Sequence, residues 1–240
     1  MDQYNTDIFS KDLGLLGITL SEEQYGRFIR YYELLAEWNE RMNLTAITEY
    51  EDVIKKHFVD SLSLVKACDI SGLRTLIDVG TGAGFPGLAL KIAFPHLRVT
   101  LLDSLNKRIL FLDAVIRELG LTGVDTVHGR AEDYARPGKL REAFDLCVSR
   151  AVANLSSLCE YCLPFVRRQG LFVAYKSGNA SREIAEAEKA VRLLGGKWKE
   201  QIEFTLPDSD ITRSLLVMEK ERATPVKYPR KAGLPGREPL

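Results

Sequence analysis

Hydrophobic residues recur with two different periods along the chain, and the period changes near Leu73. Before that point the spacing predicts one helix from Ser21 to about Trp38 and a second over residues 51–67. Ser21 has the spacing of a capping box with a glutamine three residues later. The inward stripe of the first helix is predicted to be Tyr25, Phe28, Tyr32 and Leu35.

After Leu73, short β-branched runs alternate with amphipathic segments, as in a parallel sheet built from βαβ units. The predicted strands cover residues 75–80, 98–103, 124–129, 144–150, 170–176, a segment after Gly196, and 213–220. Only the turn-rich PDSD separates the last two strands, so we expect a hairpin there. The pattern therefore predicts a mostly parallel, seven-stranded sheet with an antiparallel last strand.

The composition fits one sizeable α/β core of 240 residues with 45% hydrophobic content. We divide the chain into an N-terminal helical accessory segment (1–70), an α/β domain (71–221) and a basic, proline-rich tail (222–240). No run of about 18 apolar residues occurs, and the N-terminus lacks a signal-peptide pattern. We therefore expect a cytoplasmic protein without a membrane partner, acting as a monomer.

Charge and cysteine content narrow the function classes further. Lys plus Arg and Asp plus Glu number 33 each, so a nucleic-acid contact must come from local clusters, and no DNA partner is expected. The four cysteines are too dispersed for a disulfide framework and are expected to be buried thiols. Cys159 and Cys162 have ligand-like spacing, but no second Cys/His pair accompanies them, so we predict no metal site.

The run IDVGTGAGFPG at residues 77–87 predicts a ligand-binding loop after the first strand, and two glycine patterns fit it. Gly82, Gly84 and Gly87 satisfy the dinucleotide pattern G-x-G-x-x-G, which alone is weak. The second pattern is one acid followed by three alternate glycines: Asp78, Gly80, Gly82 and Gly84.

The second pattern explains the loop better. Phe85 stands where the dinucleotide pattern, counted from Gly80, requires its third glycine. A carboxylate at Asp78 would repel a pyrophosphate but tolerate the ammonium and sulfonium of S-adenosylmethionine. We predict S-adenosylmethionine as the cofactor, with Asp78 either near the ligand or bracing the loop.

Two further acids are placed to bind adenosine. Asp103 closes the second strand, where an acid accepts hydrogen bonds from ribose hydroxyls, although it is also a plausible helix N-cap. Ala131 and Glu132 follow the third strand and are predicted to edge the adenine through a backbone N–H and a carboxylate. The alternative for Glu132 is an exposed loop acid.

Several ordered segments together resemble one known family over residues 20–240. They are WNERMNLTAIT, HFVDSL, IDVGTGAGFPG, HGRAED, SRAVANL and YPRKAGLPGREPL. The chain resembles the glucose-inhibited division protein B family, also called RsmG. That resemblance implies a class I S-adenosylmethionine-dependent methyltransferase fold, Rossmann-like, and methyl transfer to N7 of guanine 527 in bacterial 16S ribosomal RNA. It also implies that Gly80, Phe85, Ala131, Glu132 and Arg150 contact the cofactor.

The resemblance also implies a set of residues that line the substrate: Asn43, His57, Asp60, Ser61 and Arg150. From residue type alone, His57 is a structural histidine more often than a site residue, and Arg150 has a salt bridge as its alternative role. Guanine N7 has an in-plane lone pair, so its attack on a methyl group needs no prior proton removal. We therefore name no catalytic base and expect positioning to dominate catalysis.

The predicted partner is 16S rRNA, either naked or in a small-subunit ribonucleoprotein. Basic residues of the tail are expected to follow phosphates, unless they are only solvated: Arg222, Lys227, Arg230, Lys231 and Arg237. Basic pairs such as Lys107 with Arg108 extend this surface or are ordinary helix faces. Deleting residues 223–240 is predicted to weaken RNA binding and leave cofactor affinity intact.

Two other functions remain open from the residues alone. A nicotinamide-dependent oxidoreductase would use the same sheet and glycines, and a titration with NADH distinguishes it. A non-catalytic RNA-binding module would explain the basic tail but not Asp78, Asp103 and Glu132. Bound RNA without methyl transfer would favour that module.

Overall fold

The computed structural model describes residues 4–151 and 153–240. The first three residues of the predicted N-terminal segment, and Val152 in the SRAVANL motif, lie outside the described residues. The strands are β1 (Thr75–Val79), β2 (Arg98–Asp103), β3 (Val124–His128), β4 (Phe144–Ser149), β5 (Val166–Ser177), β6 (Gly196–Thr205) and β7 (Thr212–Lys220).

Helices precede the sheet and alternate with its strands. They are α1 (Asp7–Leu15), α2 (Glu22–Met42), α3 (Tyr50–Val53), α4 (Asp60–Leu62), α5 (Gly87–Ala93), α6 (Asn106–Glu118), α7 (Ala131–Tyr134), α8 (Leu155–Cys162), α9 (Ser181–Leu193) and α10 (Leu234–Arg237). A π-helical segment, Ile54–Val59, joins α3 to α4, and 3₁₀ turns cover Ser63–Lys66 and Leu163–Phe165. In the part of the chain that is described, no helix has the length and apolarity to cross a membrane.

The seven strands form one sheet in the order β3-β2-β1-β4-β5-β7-β6. β7 runs antiparallel to both of its neighbours, and the pairs among β1 to β5 are parallel. The predicted α/β fold, with its antiparallel last strand and terminal hairpin, is confirmed. The chain order reverses between β1 and β4, and ligands of such sheets bind at the carboxyl ends of the strands at that point.

The predicted capping box starts α2, because the Ser21 hydroxyl accepts from the Gln24 amide while the Gln24 side chain accepts from the Ser21 amide. The helix continues to Met42, beyond the predicted end near Trp38. Apart from Met42 its last turn is polar, so the hydrophobic pattern does not reveal that turn. β5 likewise begins at Val166, before the predicted residue 170, through the exposed residues 167–169.

One face of the sheet is covered by the N-terminal helices with α5 and α6, and the other by α8 and α9. Aromatic rings join the N-terminal helices to the sheet side, with Phe28 and Phe58 centroids 4.8 Å apart and Tyr31 and Phe85 centroids 5.3 Å apart. The N-terminal helices and the glycine loop therefore share one core. The division at residues 70/71 and 221/222 stays a prediction.

Candidate functional site

The glycine loop leaves β1 at the point where the strand order reverses. Gly80, Gly82 and Gly84 have φ values of 72°, 62° and 96°, which side chains with a Cβ rarely adopt. The amide of Gly80 donates to the Leu102 carbonyl at 2.8 Å, so the loop is fastened to the end of β2. The glycines thus allow a tight turn at the sheet edge.

Asp78 braces this loop from behind. Its Oδ2 accepts from the Thr81 hydroxyl at 2.7 Å and from the Gly87 amide at 2.9 Å. Oδ1 is buried with no hydrogen-bond partner among the described residues. Burial, only partly offset by these hydrogen bonds, raises the pKa of Asp78 to about 6. The bracing alternative is the one that this geometry supports, while a ligand contact of Asp78 stays a prediction.

Gly84 packs closely against Tyr31 of α2, because a Cβ added at this glycine would collide with the Tyr31 hydroxyl. Tyr31 was missed by the predicted stripe: it is fully buried, whereas Tyr25 and Tyr32 are half-buried. Its hydroxyl donates to the Ala83 carbonyl and its ring stacks on Phe85. Residues 28, 31 and 35 have helical spacing as good as 28, 32 and 35, so spacing alone does not separate them.

A cavity of 630 Å³ opens in front of the loop. Its size is in the range of small-molecule sites. Seven of the predicted cofactor residues line it: Gly80, Gly82, Phe85, Asp103, Ala131, Glu132 and Arg150. A Cβ added at Gly82 would meet no heavy atom within 4 Å, so this glycine borders open space. The structure therefore brings together residues that the chain separates widely, and leaves Asp78 and Gly84 behind the wall.

Asp103 is held at the cavity wall by hydrogen bonds to the loop and to the residue before α6. It is not the N-cap, because Leu105 holds that position with no side-chain cap, and its ribose contact stays a prediction. Its Oδ1 accepts from the Leu105 amide at 2.9 Å, close to the start of α6, and its Oδ2 accepts from the Gly82 amide at 2.9 Å. Arg108 donates to Oδ2 at 3.1 Å. This carboxylate thus ties the glycine loop to β2 and α6 at the cavity wall. Arg108, interpreted from sequence as a surface residue, lines the same cavity.

A second cavity of 670 Å³ adjoins the first. The two share His57, Arg150, Ala151 and Ala153. Four basic side chains line the second cavity against two acids: Lys56, Arg150, Lys176 and Arg213 against Asp60 and Glu183. Lys56 pairs with Asp52 and Lys176 with Glu183, whereas the two arginines share one carboxylate. The excess positive charge of the wall therefore lies at the arginines, and it suits a polyanion.

His57 and Arg150 form the junction of the two cavities. Arg150 donates to His57 Nδ1 at 3.1 Å, to the Lys56 carbonyl at 3.1 Å and to Asp60 Oδ2 at 3.0 Å. Because arginine only donates, His57 Nδ1 must accept, and its Nε2–H donates to the Thr45 hydroxyl at 3.0 Å. The imidazole stacks on Phe85 with 4.5 Å between centroids, and the Arg150 guanidinium lies 5.2 Å from the same ring.

The other predicted substrate residues lie at different depths. Asp60 is buried between Arg150 and Arg213, whose Nε donates to its Oδ1 at 3.0 Å. Ser61 is fully buried and donates to the His57 carbonyl, while Asn43 is exposed at the end of α2 with φ 48°. Neither Ser61 nor Asn43 lines a cavity described here. Their substrate contacts stay predictions.

His57 is expected to remain a neutral imidazole throughout the physiological pH range. Burial, and secondly the charge of Arg150, lower its pKa to about 3. Proton NMR of the ring should therefore show no titration between pH 5 and pH 9. A titration midpoint near 6.5, the value of an ordinary histidine, would contradict this environment.

The cysteines are not arranged as a metal centre in the part of the chain that the structure describes. Cys147, Cys159 and Cys162 are buried, and burial raises the pKa of the Cys159 thiol. Among residues 4–151 and 153–240, no group of three or more His, Cys, Asp or Glu side chains is arranged to hold a metal ion.

Comparison with known sequences gives close relatives over nearly the whole chain. The family model described as rRNA small subunit methyltransferase G (GidB) matches residues 24–212. The "Ribosomal RNA small subunit methyltransferase G" of Lachnoclostridium phytofermentans is 54% identical, over 97% of this chain and 96% of that protein. The protein of the same name from Clostridium tetani is 50% identical, over 98% of each.

Solved structures share the fold at low sequence identity. The [4+2]-cyclase SpnF has a TM-score of 0.56 at 14% identity, covering 85% of this chain and 97% of that chain. M. jannaschii TYW2, solved in complex with AdoMet, has a TM-score of 0.51 at 13% identity, covering 62% of this chain and 69% of that chain.

Proposed function

Because the chain belongs to the rRNA small subunit methyltransferase G family, we propose that it transfers a methyl group from S-adenosylmethionine to N7 of guanine 527 in 16S rRNA. The observation that carries the proposal is the pair of adjoining cavities with His57 and Arg150 at their junction. One cavity has the acids and glycines expected around adenosine. The other has the basic wall expected around RNA.

The residues of the first cavity fit S-adenosylmethionine and oppose a dinucleotide. A pyrophosphate would need the first amides of α5, but the Gly87 amide already donates to the Asp78 carboxylate. Asp103 and Glu132 would hold ribose and adenine, with Gly80 and Gly82 beside the remainder of the molecule. When bound, the cofactor supplies an electrophilic methyl group on a positively charged sulfur.

The chemistry at the junction needs no general base. The neutral His57 is committed to Thr45 and Arg150, and Arg150 is committed to Asp60 and the Lys56 carbonyl. This network holds His57 and Arg150 in fixed positions at the junction, and is less suited to moving a proton. The N7 lone pair attacks without deprotonation, so alignment supplies the rate enhancement, to which positioning contributes roughly 7–11 kcal/mol at most.

The second cavity supports an RNA substrate. Lys56, Lys176 and Arg213 place positive charge around its wall, and phosphate neutralisation dominates nucleic-acid affinity. We infer a small-subunit ribonucleoprotein or 16S rRNA as substrate, a monomeric enzyme, and reaction in the cytoplasm.

The proposal is tested by incubating the protein with small-subunit particles from cells that lack this methylation and with methyl-labelled S-adenosylmethionine. We expect label in the RNA as 7-methylguanosine after nuclease digestion, and none with large-subunit particles. A parallel titration should show S-adenosylhomocysteine binding and no NADH binding. Label in another nucleoside would contradict the N7 assignment, and NADH binding alone would contradict the cofactor.

A further inference from the structure

Residues 222–240, here called the C-terminal strap, are held against the α/β core by buried and half-buried charged groups. Arg141 donates to the Tyr228 carbonyl at 2.8 Å, and the Lys220 ammonium donates to the Thr224 hydroxyl at 2.7 Å. The Thr224 amide donates to Glu142 at 2.7 Å. Lys220 is fully buried, so the start of the strap is part of the core packing.

The middle of the strap is fixed by a buried ion pair. Glu160 of α8 is fully buried and accepts from the Arg230 amide at 2.7 Å, from its Nε at 3.0 Å and from its Nη2 at 2.7 Å. A buried carboxylate requires such a partner, because it has lost its hydration. Arg230 therefore has a structural partner, and its predicted phosphate contact loses support.

The last part of the strap contacts residues that line the first cavity. The Gly233 amide donates to Glu132 Oε1 at 2.7 Å, and the Ser157 hydroxyl donates to the Pro235 carbonyl at 2.7 Å. A Cβ added at Gly236 would stand 3.2 Å from the Tyr161 hydroxyl. Glu132 and Tyr161 both line the cavity, so the strap supports two of its wall residues from outside.

We propose that the C-terminal strap is part of the cofactor site and that the Gly233 amide is a positioning group for the Glu132 carboxylate. This rests on the proposed function, in which Glu132 recognises the adenine amino group. A charged carboxylate that accepts a backbone hydrogen bond on one oxygen is held in orientation, which leaves its cavity side pre-organised for the ligand.

For residues 223–240 the inference differs from the sequence-based expectation in one respect, that their deletion leaves cofactor affinity intact, while the expected loss of RNA binding stays a prediction. Their removal should lower cofactor affinity, because the wall around Glu132 would lose its outer support. The effect should be confined to the adenine end, since the glycine loop and Asp103 make no hydrogen bond to the strap in the part of the chain that the structure describes.

The test compares the full chain with a truncation ending at Lys231, which keeps Arg230 and all anchors before it. A control truncation ending at Glu238 keeps Gly233 and Gly236. We expect the Kd of S-adenosylhomocysteine to rise about tenfold in the first and to stay unchanged in the control, as for loss of one hydrogen bond to a charged group. The KM for S-adenosylmethionine should rise with kcat at saturation preserved.

Two further readouts separate positioning from a merely structural role. The inosine analogue of S-adenosylhomocysteine lacks the adenine amino group, so its Kd should change less than twofold on truncation. Glu132→Ala combined with the truncation should be no worse than Glu132→Ala alone, because both remove the same contact. Equal Kd values for the full chain and the Lys231 truncation, or additive effects, would overturn the inference. Failure of the full chain to bind S-adenosylhomocysteine would instead overturn the proposed function.

Discussion

Replacing Asp103 with alanine is expected to weaken S-adenosylhomocysteine binding about 100-fold, as for loss of about two charge-assisted hydrogen bonds to a ribose. The same change removes the acceptor of the Gly82 amide, so the glycine loop loses its tie to β2. Both losses act on cofactor affinity in the same direction. Isothermal titration calorimetry measures the effect directly.

Two further variants show which contact of Asp103 accounts for the loss of affinity. Asp103→Asn keeps an oxygen that can accept from Gly82 but removes the charge, so we expect an intermediate loss of affinity. Asp125→Ala removes an exposed acid of the neighbouring strand β3 and should leave the Kd unchanged. If Asp103→Ala bound S-adenosylhomocysteine as tightly as the parent protein, the assignment of this carboxylate to ribose would be wrong.

Replacing Arg150 with alanine is expected to lower kcat about 100-fold, with a smaller effect on cofactor affinity. Arg150 joins His57, Asp60 and the Lys56 carbonyl, so its loss loosens the junction where nucleophile and methyl group must be aligned. A factor of 100 corresponds to about 2.7 kcal/mol in the activation free energy. Asp60 keeps Arg213 as a partner, so the fold should survive.

The matched variants are Arg150→Lys and Arg168→Ala. Lysine has one donor nitrogen and cannot reproduce the forked contacts, so Arg150→Lys should recover little of the rate. Arg168 is exposed on β5, and its removal should not change kcat. The pKa of His57 should rise in Arg150→Ala, because a neighbouring positive charge has been removed, although burial still holds it below the ordinary value. Unchanged kcat and an unchanged His57 pKa would contradict the role given to Arg150.

The fold could be predicted from the sequence because the patterns that indicate its strands and helices lie within short segments of the chain. Alternating β-branched runs and amphipathic helices predict the sheet. The glycine spacing predicts the loop after β1, where the strand order of the sheet reverses. The gathering of Gly80, Asp103 and Glu132 in one cavity follows from the rule that parallel strands end at the same edge. The bracing position of Asp78, by contrast, depends on how far the chain turns after β1.

The packing of the strap could not be predicted because its partners are distant along the chain, while the RNA contact of its exposed basic residues stays a prediction. Composition shows that Arg230 is basic, but its buried partner Glu160 lies 70 residues away, and the contact of Gly233 with Glu132 spans 101 residues. When the acidic partners of basic residues are not known, a run of basic residues favours the interpretation of a solvated or RNA-binding tail. The burial of Tyr31 could not be predicted for a different reason. Helical spacing allows either Tyr31 or Tyr32 to face the core together with Phe28 and Leu35.

The most direct test of the account is to map the methylated base in 16S rRNA after one round of reaction with undermethylated small-subunit particles. Mass spectrometry of nuclease fragments should find about one methyl group per particle, on N7 of guanine 527. Its formation should depend on S-adenosylmethionine and should fall with Asp103→Ala when the cofactor is well below saturation. A methyl group on another position, or fully active protein after Asp103→Ala, would contradict the claim that these two cavities bring that nucleotide and that cofactor together.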